Sequence, residues 1–405
     1  MDNLAEAMEI THLSDRHEEP QQLQFRPKAD SGIAETVLKN IPRYLFRVAS
    51  PRSNGDTNEI WVRSESAHWN KSSSTEDIFS NLDCKKRTEI AQALNLHLRW
   101  LQNGGNKDNF VSWTSSLLFA IQFIYYRHLS AKDRSCLAEI KLYIIDTRQF
   151  LSGTFIRDLD LIDAFCVAEN SLSDFRSMRN RPNYYFGEYL SQGSLKIENK
   201  CQVIPANILF EQDRLRRIQP EFAEFAHIRR HTVGGKPPWV KEVNRLRNTL
   251  QPGNKLPILP ENEMSGRLQA IEEIIKYVAS GWRYPIAIYF AALIGSESFI
   301  EGQETSDDNL FFNFFRPASL QSASFRFFQE KGQGCLSKSF QSIRENKEEF
   351  RPSKFNVIAP DTMPELKQVK KLVHEIHKRS QSIMARGQFF SPHLSVSSTM
   401  PNIVA

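Results

Sequence analysis

The chain has 405 residues, a formal charge of +5, 40% hydrophobic and 24% charged residues, which suits two domains with a sizeable core. The mild positive charge permits an anionic ligand without demanding nucleic acid, and no apolar run reaches the length of a membrane span. The five cysteines, Cys84, Cys136, Cys166, Cys201 and Cys335, form no CxxC pair and no zinc-ligand spacing with histidine, so neither a metal site nor a disulfide framework is expected.

The N-terminus, Met1 to Glu6, is acidic and lacks an apolar core, so no secretory signal is expected. The scattered, odd-numbered cysteines suit a reducing intracellular compartment, cytoplasm or nucleus. Residues 1–39 are rich in Glu, Gln and Asp without sustained periodicity, and read as disordered. Order begins at Pro42, where Tyr44, Phe46 and Val48 alternate with Leu45 and Arg47 as in a strand. Arg47 therefore sits in mid-strand. It is either an arginine that snorkels or pairs with a structural carboxylate, or an anion clamp, because a guanidinium binds phosphate bidentately. Arg87 to Leu101 reads as a helix with Ile90, Leu94, Leu98 and Leu101 on one face; His97 on that helix reads as a packed histidine.

The stretch Asn109 to Arg127 changes period midway. Phe110, Val111 and Trp113 suit a strand; Leu117, Leu118, Ile121, Ile124 and Tyr125 recur at helical spacing. The hydroxyls of Ser112, Thr114, Ser115 and Ser116 lie between, and Ser115 or Ser116 can cap the helix. Two readings stay open: a capped helix after a strand, or a rigid turn presenting small polar groups to a ligand. A further strand is expected over Ala138 to Asp146 and a short one over Cys201 to Pro205. Between them Glu188 falls among Tyr184, Tyr185, Phe186 and Tyr189. A carboxylate buried there needs a partner or a shifted pKa.

Residues 216–262 read as a basic, Pro- and Gly-rich linker, with Arg229, Arg230, His231 and Lys236 as a solvated basic face that makes nucleic acid an unlikely partner. Residues 263–345 read as helical. Leu268, Ile271, Ile274, Ile275 and Val278 form a stripe, Gly281 breaks it, Ile286 to Ile294 is buried, and Phe311–Phe315 and Phe325–Phe328 pack against these helices. Residues 346–405 read as a mostly disordered tail with a helix around Glu365 to His377.

The order of elements resembles the Arg–Ser–Glu class of mono-ADP-ribosyltransferases, such as the cholera and heat-labile enterotoxins. Phe46-Arg-Val-Ala-Ser50 is similar to that family's arginine strand, Val111-Ser-Trp-Thr-Ser115 to its Ser-Thr-Ser element, and Glu188 to Gly193 to its glutamate turn, with Val203 to Pro205 where a closing strand follows. The resemblance covers roughly residues 40–215. The chain also resembles fungal proteins that share a domain of unknown function and the same Leu-Phe-Arg-Val and Val-Ser-Trp-Thr-Ser-Ser-Leu-Leu-Phe-Ala phrases.

The first resemblance implies an α+β fold with a split, mixed sheet and flanking helices, followed by the mainly helical C-terminal region. It implies NAD as co-substrate and a protein as acceptor. Glu188 would be the catalytic carboxylate, with Ser112 or Thr114 as the hydroxyl that holds it. Arg47 and Ser115 would bind the cofactor, and Tyr184, Tyr185 or Phe186 would stack on nicotinamide. Phe186 stands where the family places the residue that orients the acceptor, so the acceptor stays open. The expected function is an NAD-dependent mono-ADP-ribosyltransferase or NAD glycohydrolase-like domain. The alternatives are a non-catalytic binding module with the C-terminal helices as partner surface, and a nucleic-acid-associated protein.

Overall fold

Four strands that bury nearly every residue, Tyr44–Ala49, Phe110–Thr114, Lys141–Asp146 and Glu188–Gln192, set the core of the first part of the chain. The computed structural model describes residues 22–101, 108–231, 238–250, 259–295, 314 and 363–389. In chain order the strands are β1 (Tyr44–Ala49), β2 (Asp56–Thr57), β3 (Trp61–Arg63), β4 (Phe110–Thr114), β5 (Lys141–Asp146), β6 (Ile156–Arg157), β7 (Glu188–Gln192), β8 (Ser194–Lys196) and β9 (Cys201–Pro205). The longer helices are α1 (Cys84–Leu98), α2 (Leu117–Leu129), α3 (Asp158–Phe165), α4 (Asn170–Arg179), α5 (Trp239–Leu250), α6 (Glu261–Ile275), α7 (Ser280–Ala291) and α8 (Pro364–Phe389). The α+β class expected from the sequence is found. A six-stranded sheet runs β6-β7-β4-β1-β5-β9, and a three-stranded sheet runs β2-β3-β8. Every pairing in them is antiparallel, so neither sheet is mixed.

β1 pairs with β5 along its whole length, from Tyr44↔Asp146 to Ala49↔Lys141. With β4 it shares one register pair, Phe46↔Thr114, and the two strands then separate. β4 continues with β7 over five pairs, from Phe110↔Gln192 to Thr114↔Glu188. Side-chain alternation along β4 divides its residues between two cores. Phe110 packs with Phe79, Leu94, Leu161 and Leu190 under α1, α3 and α4. Val111 and Trp113 face the other way, against Leu45, Tyr143, Tyr189 and the small sheet's Val62 and Leu195. This explains why Trp113 interrupts the hydroxyl run. Its indole belongs to the core between the sheets and donates to Ser191 Oγ at 3.0 Å, while Ser112 and Thr114 take the opposite face.

α2 starts where the hydroxyls end. Ser116 is its N-cap and accepts from Phe119 N–H at 3.0 Å, while Ser115 is fully buried. Order begins before the expected boundary at residue 39: Phe25 is buried in the α1 core, and its N–H donates to Gly153 O at 2.7 Å. Its ring fits a pocket that no local periodicity announces.

The chain divides into two compact units. The first holds residues up to Glu211 together with Ala223–Arg247 and Val357–Met363. Part of the expected linker is thus helical, in Phe225–Arg230 and α5. The second holds Gln212–Phe222, Asn248–Asn356 and Pro364–Ala405. There the stripe Leu268, Ile271, Ile274, Ile275 and Val278 is buried as expected. The break falls over residues 276–279, with Gly281 inside α7. Arg217 spans Glu273 at 2.7 and 3.0 Å, joining Arg214–Ile218 to α6. α8 contains the helix expected around Glu365 to His377 and is longer than expected, running to Phe389; it buries Leu366, Val369, Leu372 and Val373. Phe311–Phe315 and Phe325–Phe328 lie outside the described residues apart from Phe314, which is buried. Among the described residues no helix is long and apolar enough to cross a membrane.

Candidate functional site

Where β1 and β4 part, a cleft of about 320 Å³ opens, lined by Arg47, His97, Asp108, Ser112, Thr114 and Glu188 among others. That volume is of small-ligand size. Arg47 Nη1 donates to the Ser112 carbonyl at 3.0 Å, and Nε to Thr57 Oγ1 at 3.2 Å. No carboxylate is paired with Arg47 among the described residues, so the structural-ion-pair reading of this arginine is not met. Burial, and next the Arg127 charge, lower its pKa to about 10. Its guanidinium is thus a half-buried cation poorly compensated by protein. Arg127 lines the same cleft, pairs with Asp133 at 2.9 Å, and its Nε has no partner among the described residues.

Glu188 opens β7 opposite Thr114, two residues before Leu190, the partner of Ser112, and its neighbours account for both carboxylate oxygens. Oε1 accepts from Ser112 Oγ at 2.6 Å, and Oε2 is bound by Arg179 Nη2. Arg179 also donates to Asp158 at 2.7 Å, and Asp158 is fully buried. Burial, with the Glu188 charge, pushes Asp158 up to about 6 against the pull of Arg179. With one guanidinium between two carboxylates, the trio carries one net negative charge when both are ionised. Ser112 has a second neighbour. His97 Nε2 lies 2.7 Å from Ser112 Oγ, and His97 Nδ1 lies 2.6 Å from Asp108 Oδ2. Phe110 N–H donates to the other Asp108 oxygen at 2.9 Å, fixing that carboxylate at the foot of β4.

The structure brings Arg47, Ser112 and Glu188 into one bonded group. It places the remaining expected residues differently. Thr114 lines the cleft, but its hydroxyl donates to the Phe186 carbonyl at 2.7 Å, so Ser112 is the hydroxyl that meets Glu188. Ser115 is not among the lining residues; its N–H donates to Gly187 O at 2.8 Å, tying the turn before Glu188 to α2. Tyr185 is not among them either. It is buried, and its carbonyl accepts from Arg247 at 2.8 Å. Phe186 stacks behind Phe119 with ring centroids 5.0 Å apart. The aromatic wall of the cleft is instead Trp100, Phe119, Phe123 and Tyr126. Asp108, Arg179 and Asp158 carried no sequence signal, since each meets its partner from a different element, brought there by the packing of helices on the sheet. His97 had one: three residues after Leu94, it falls on the inward face of α1.

Gly187 positions the glutamate. Its φ is +66°, and a Cβ there would collide with Ser115 Oγ and lie 2.6 Å from Met363 Cε. Gly187→Ala is expected to destabilise the first unit by about 1–2 kcal/mol from the left-handed backbone alone, more with the clash, and to displace Glu188. Urea denaturation of that variant checks it; an unchanged midpoint would remove Gly187 from this account.

Residues 40–199 match a family described as a domain of unknown function (DUF7587), a stretch that contains Arg47, Ser112 and Glu188. No curated protein and no solved structure matches the chain.

Proposed function

We propose that the cleft binds NAD and breaks its nicotinamide–ribose bond, as an NAD-dependent mono-ADP-ribosyltransferase or NAD glycohydrolase-like domain. One observation carries this reading: residues 47, 112 and 188, from three strands, are linked by Arg47 Nη1 to Ser112 O and Ser112 Oγ to Glu188 at the wall of one cleft. Arg47 supplies an anion site for the diphosphate through charge-assisted hydrogen bonds. The aromatic wall supplies flat apolar surface for a ring. Glu188, shared with Arg179 but left with net negative charge around it, faces the ribose. As the bond to nicotinamide breaks, its electron pair leaves with the ring and positive charge grows on the sugar, as in glycoside hydrolysis. A fixed carboxylate there is a preorganised stabiliser. Water, or a nucleophile on a protein acceptor, then supplies the pair for the new bond and loses its proton to solvent.

Incubation with NAD labelled in the adenylate half, followed for nicotinamide release and for label transfer to protein, tests the reading and separates hydrolysis from transfer. Absence of both products, together with no heat of NAD binding, would leave a non-catalytic binding module on this scaffold. Arg47→Ala should weaken NAD binding by about 10- to 100-fold, the loss of charge-assisted bonds of about 1.5–3 kcal/mol. Turnover at saturating NAD should change little, because a diphosphate clamp acts on ground and transition states alike. Calorimetry and steady-state kinetics of this variant read the two quantities separately.

A second reading has an observation of its own. Ser112, His97 and Asp108 form a hydroxyl–imidazole–carboxylate chain of the kind that activates a serine nucleophile. Glu188 counts against it, because it takes the serine proton that the imidazole would need to accept. Reaction with a phosphonofluoridate or a p-nitrophenyl ester at Ser112 would favour this reading over NAD chemistry.

A further inference from the structure

Ser112 Oγ carries one proton and has two polar neighbours within hydrogen-bond distance, Glu188 Oε1 and His97 Nε2. Glu188 is paired with Arg179, so its carboxylate is an acceptor only. The serine proton therefore points to Glu188, and His97 Nε2 has to provide the proton of the second bond. His97 Nδ1 faces the Asp108 carboxylate, which is an acceptor too. This arrangement asks both ring nitrogens to donate, which only the imidazolium form can do. A neutral imidazole accepting from Ser112 fits only if a proton moves onto Glu188, against the Arg179 charge.

We propose that His97, held by Asp108, is a positioning residue that donates to Ser112 Oγ and thereby turns the serine hydroxyl onto Glu188, fixing that carboxylate in the cleft. This rests on the reading of Glu188 as the working carboxylate and assigns what keeps it aimed. The groups facing the imidazole from the surrounding elements are Asp108 before β4, Glu188 on β7, Arg47 on β1 and Glu65 at the start of the short helix Glu65–His68; the Phe110 ring meets it edge-on at 5.7 Å. Burial opposes the charged ring. The charge and hydrogen bond of Asp108, with the Glu188 charge, outweigh burial and the opposing Arg47, and hold His97 above the usual histidine range.

The direction of the pH effect follows. A pKa raised by folding contributes stability that is fully present below the unfolded value and lost as pH rises through the folded one. The alignment of Ser112 and Glu188 is lost in the same alkaline window, so turnover of NAD should fall there.

Two measurements on the full chain test the proposal. Imidazole nitrogen NMR at neutral pH should find both His97 nitrogens protonated in wild type, with the titration midpoint lowered in Glu188→Gln. In kinetics of nicotinamide release, His97→Ala should lose about a hundredfold in kcat with KM little changed, the size expected for a misplaced catalytic group. His97→Gln, whose amide donates at every pH, should recover most of that loss and lack the alkaline limb of the wild-type profile. A neutral His97 at neutral pH, a midpoint unmoved by Glu188→Gln, or an alkaline limb that survives in His97→Gln overturns the proposal. If wild type releases no nicotinamide, the NAD reading fails by itself, and the NMR result alone decides whether His97 orients Ser112.

Discussion

Glu188→Gln is expected to lower NAD turnover by about a hundredfold or more while leaving NAD affinity within a few-fold of wild type. The substitution keeps the side chain's shape. The amide oxygen can still accept from Ser112 Oγ, which sits 2.6 Å from Oε1; the amide nitrogen then faces Arg179, which loses its Glu188 acceptor, so a thermal melt of the variant accompanies the kinetics. What is lost is the negative charge at the position where sugar charge develops. An interaction made mainly in the transition state shows in kcat, whereas one made equally in the ground state shows in KM. Arg47→Ala gives the opposite pattern, and the pair of variants tests the division of roles. Equal losses of affinity in both, with kcat untouched, would make Glu188 a binding group and remove it from the chemistry.

Arg179→Ala should destabilise the first unit by about 3–5 kcal/mol, the scale for removing one partner of a buried ion pair. Arg179 is 5% exposed and stands between Asp158, which is fully buried, and Glu188, which is 9% exposed. Its loss strands the fully buried Asp158, leaves Glu188 at the cleft wall without its cation, and frees the Tyr184 carbonyl that it also holds at 3.2 Å. The sign of the pH dependence is fixed by Asp158. Burial first, and then the Glu188 charge, raise it to about 6 even with the arginine present. A carboxyl raised on folding favours the fold in its protonated form, and that advantage is lost as pH rises through the folded pKa. The Arg179→Ala defect should therefore be smaller in mildly acid buffer than above neutral pH. Thermal melts at the two conditions check this, and an equal defect at both would mean that lost packing, not stranded charge, is the cause. Arg47→Ala serves as the control. With no carboxylate partner among the described residues, removing it orphans no acid, and its melt should move little.

Local pattern determined much of the architecture. Alternation in Tyr44–Val48 and in the stretch to Asp146 marked β1 and β5, because strands buried on both faces read as apolar runs. The change of period after Trp113 marked the joint between β4 and α2, and the hydroxyls there supplied its cap, Ser116. The stripe from Leu268 to Val278 marked a buried helix of the second unit. The order of Arg47, the hydroxyl turn and Glu188 was legible because chain order survives where single motifs are weak.

What only the tertiary structure decided is how those residues are partnered. Pairing of β1 with β4 at Phe46↔Thr114 alone opens the cleft, and no local property of either strand specifies where two strands part. The choice of Ser112 over Thr114 follows from which carbonyl each hydroxyl meets, Thr114 being taken by Phe186. Arg179 comes from the end of α4 and Asp158 from the start of α3, 21 residues apart in sequence, and they meet because both helices pack on one face of the sheet. His97 read as a packed histidine, and its face on α1 was legible. Its partners were not, because Asp108, Ser112 and Glu188 reach one another only in the assembled group, and a hydrogen-bond network is a property of that group rather than of any residue in it.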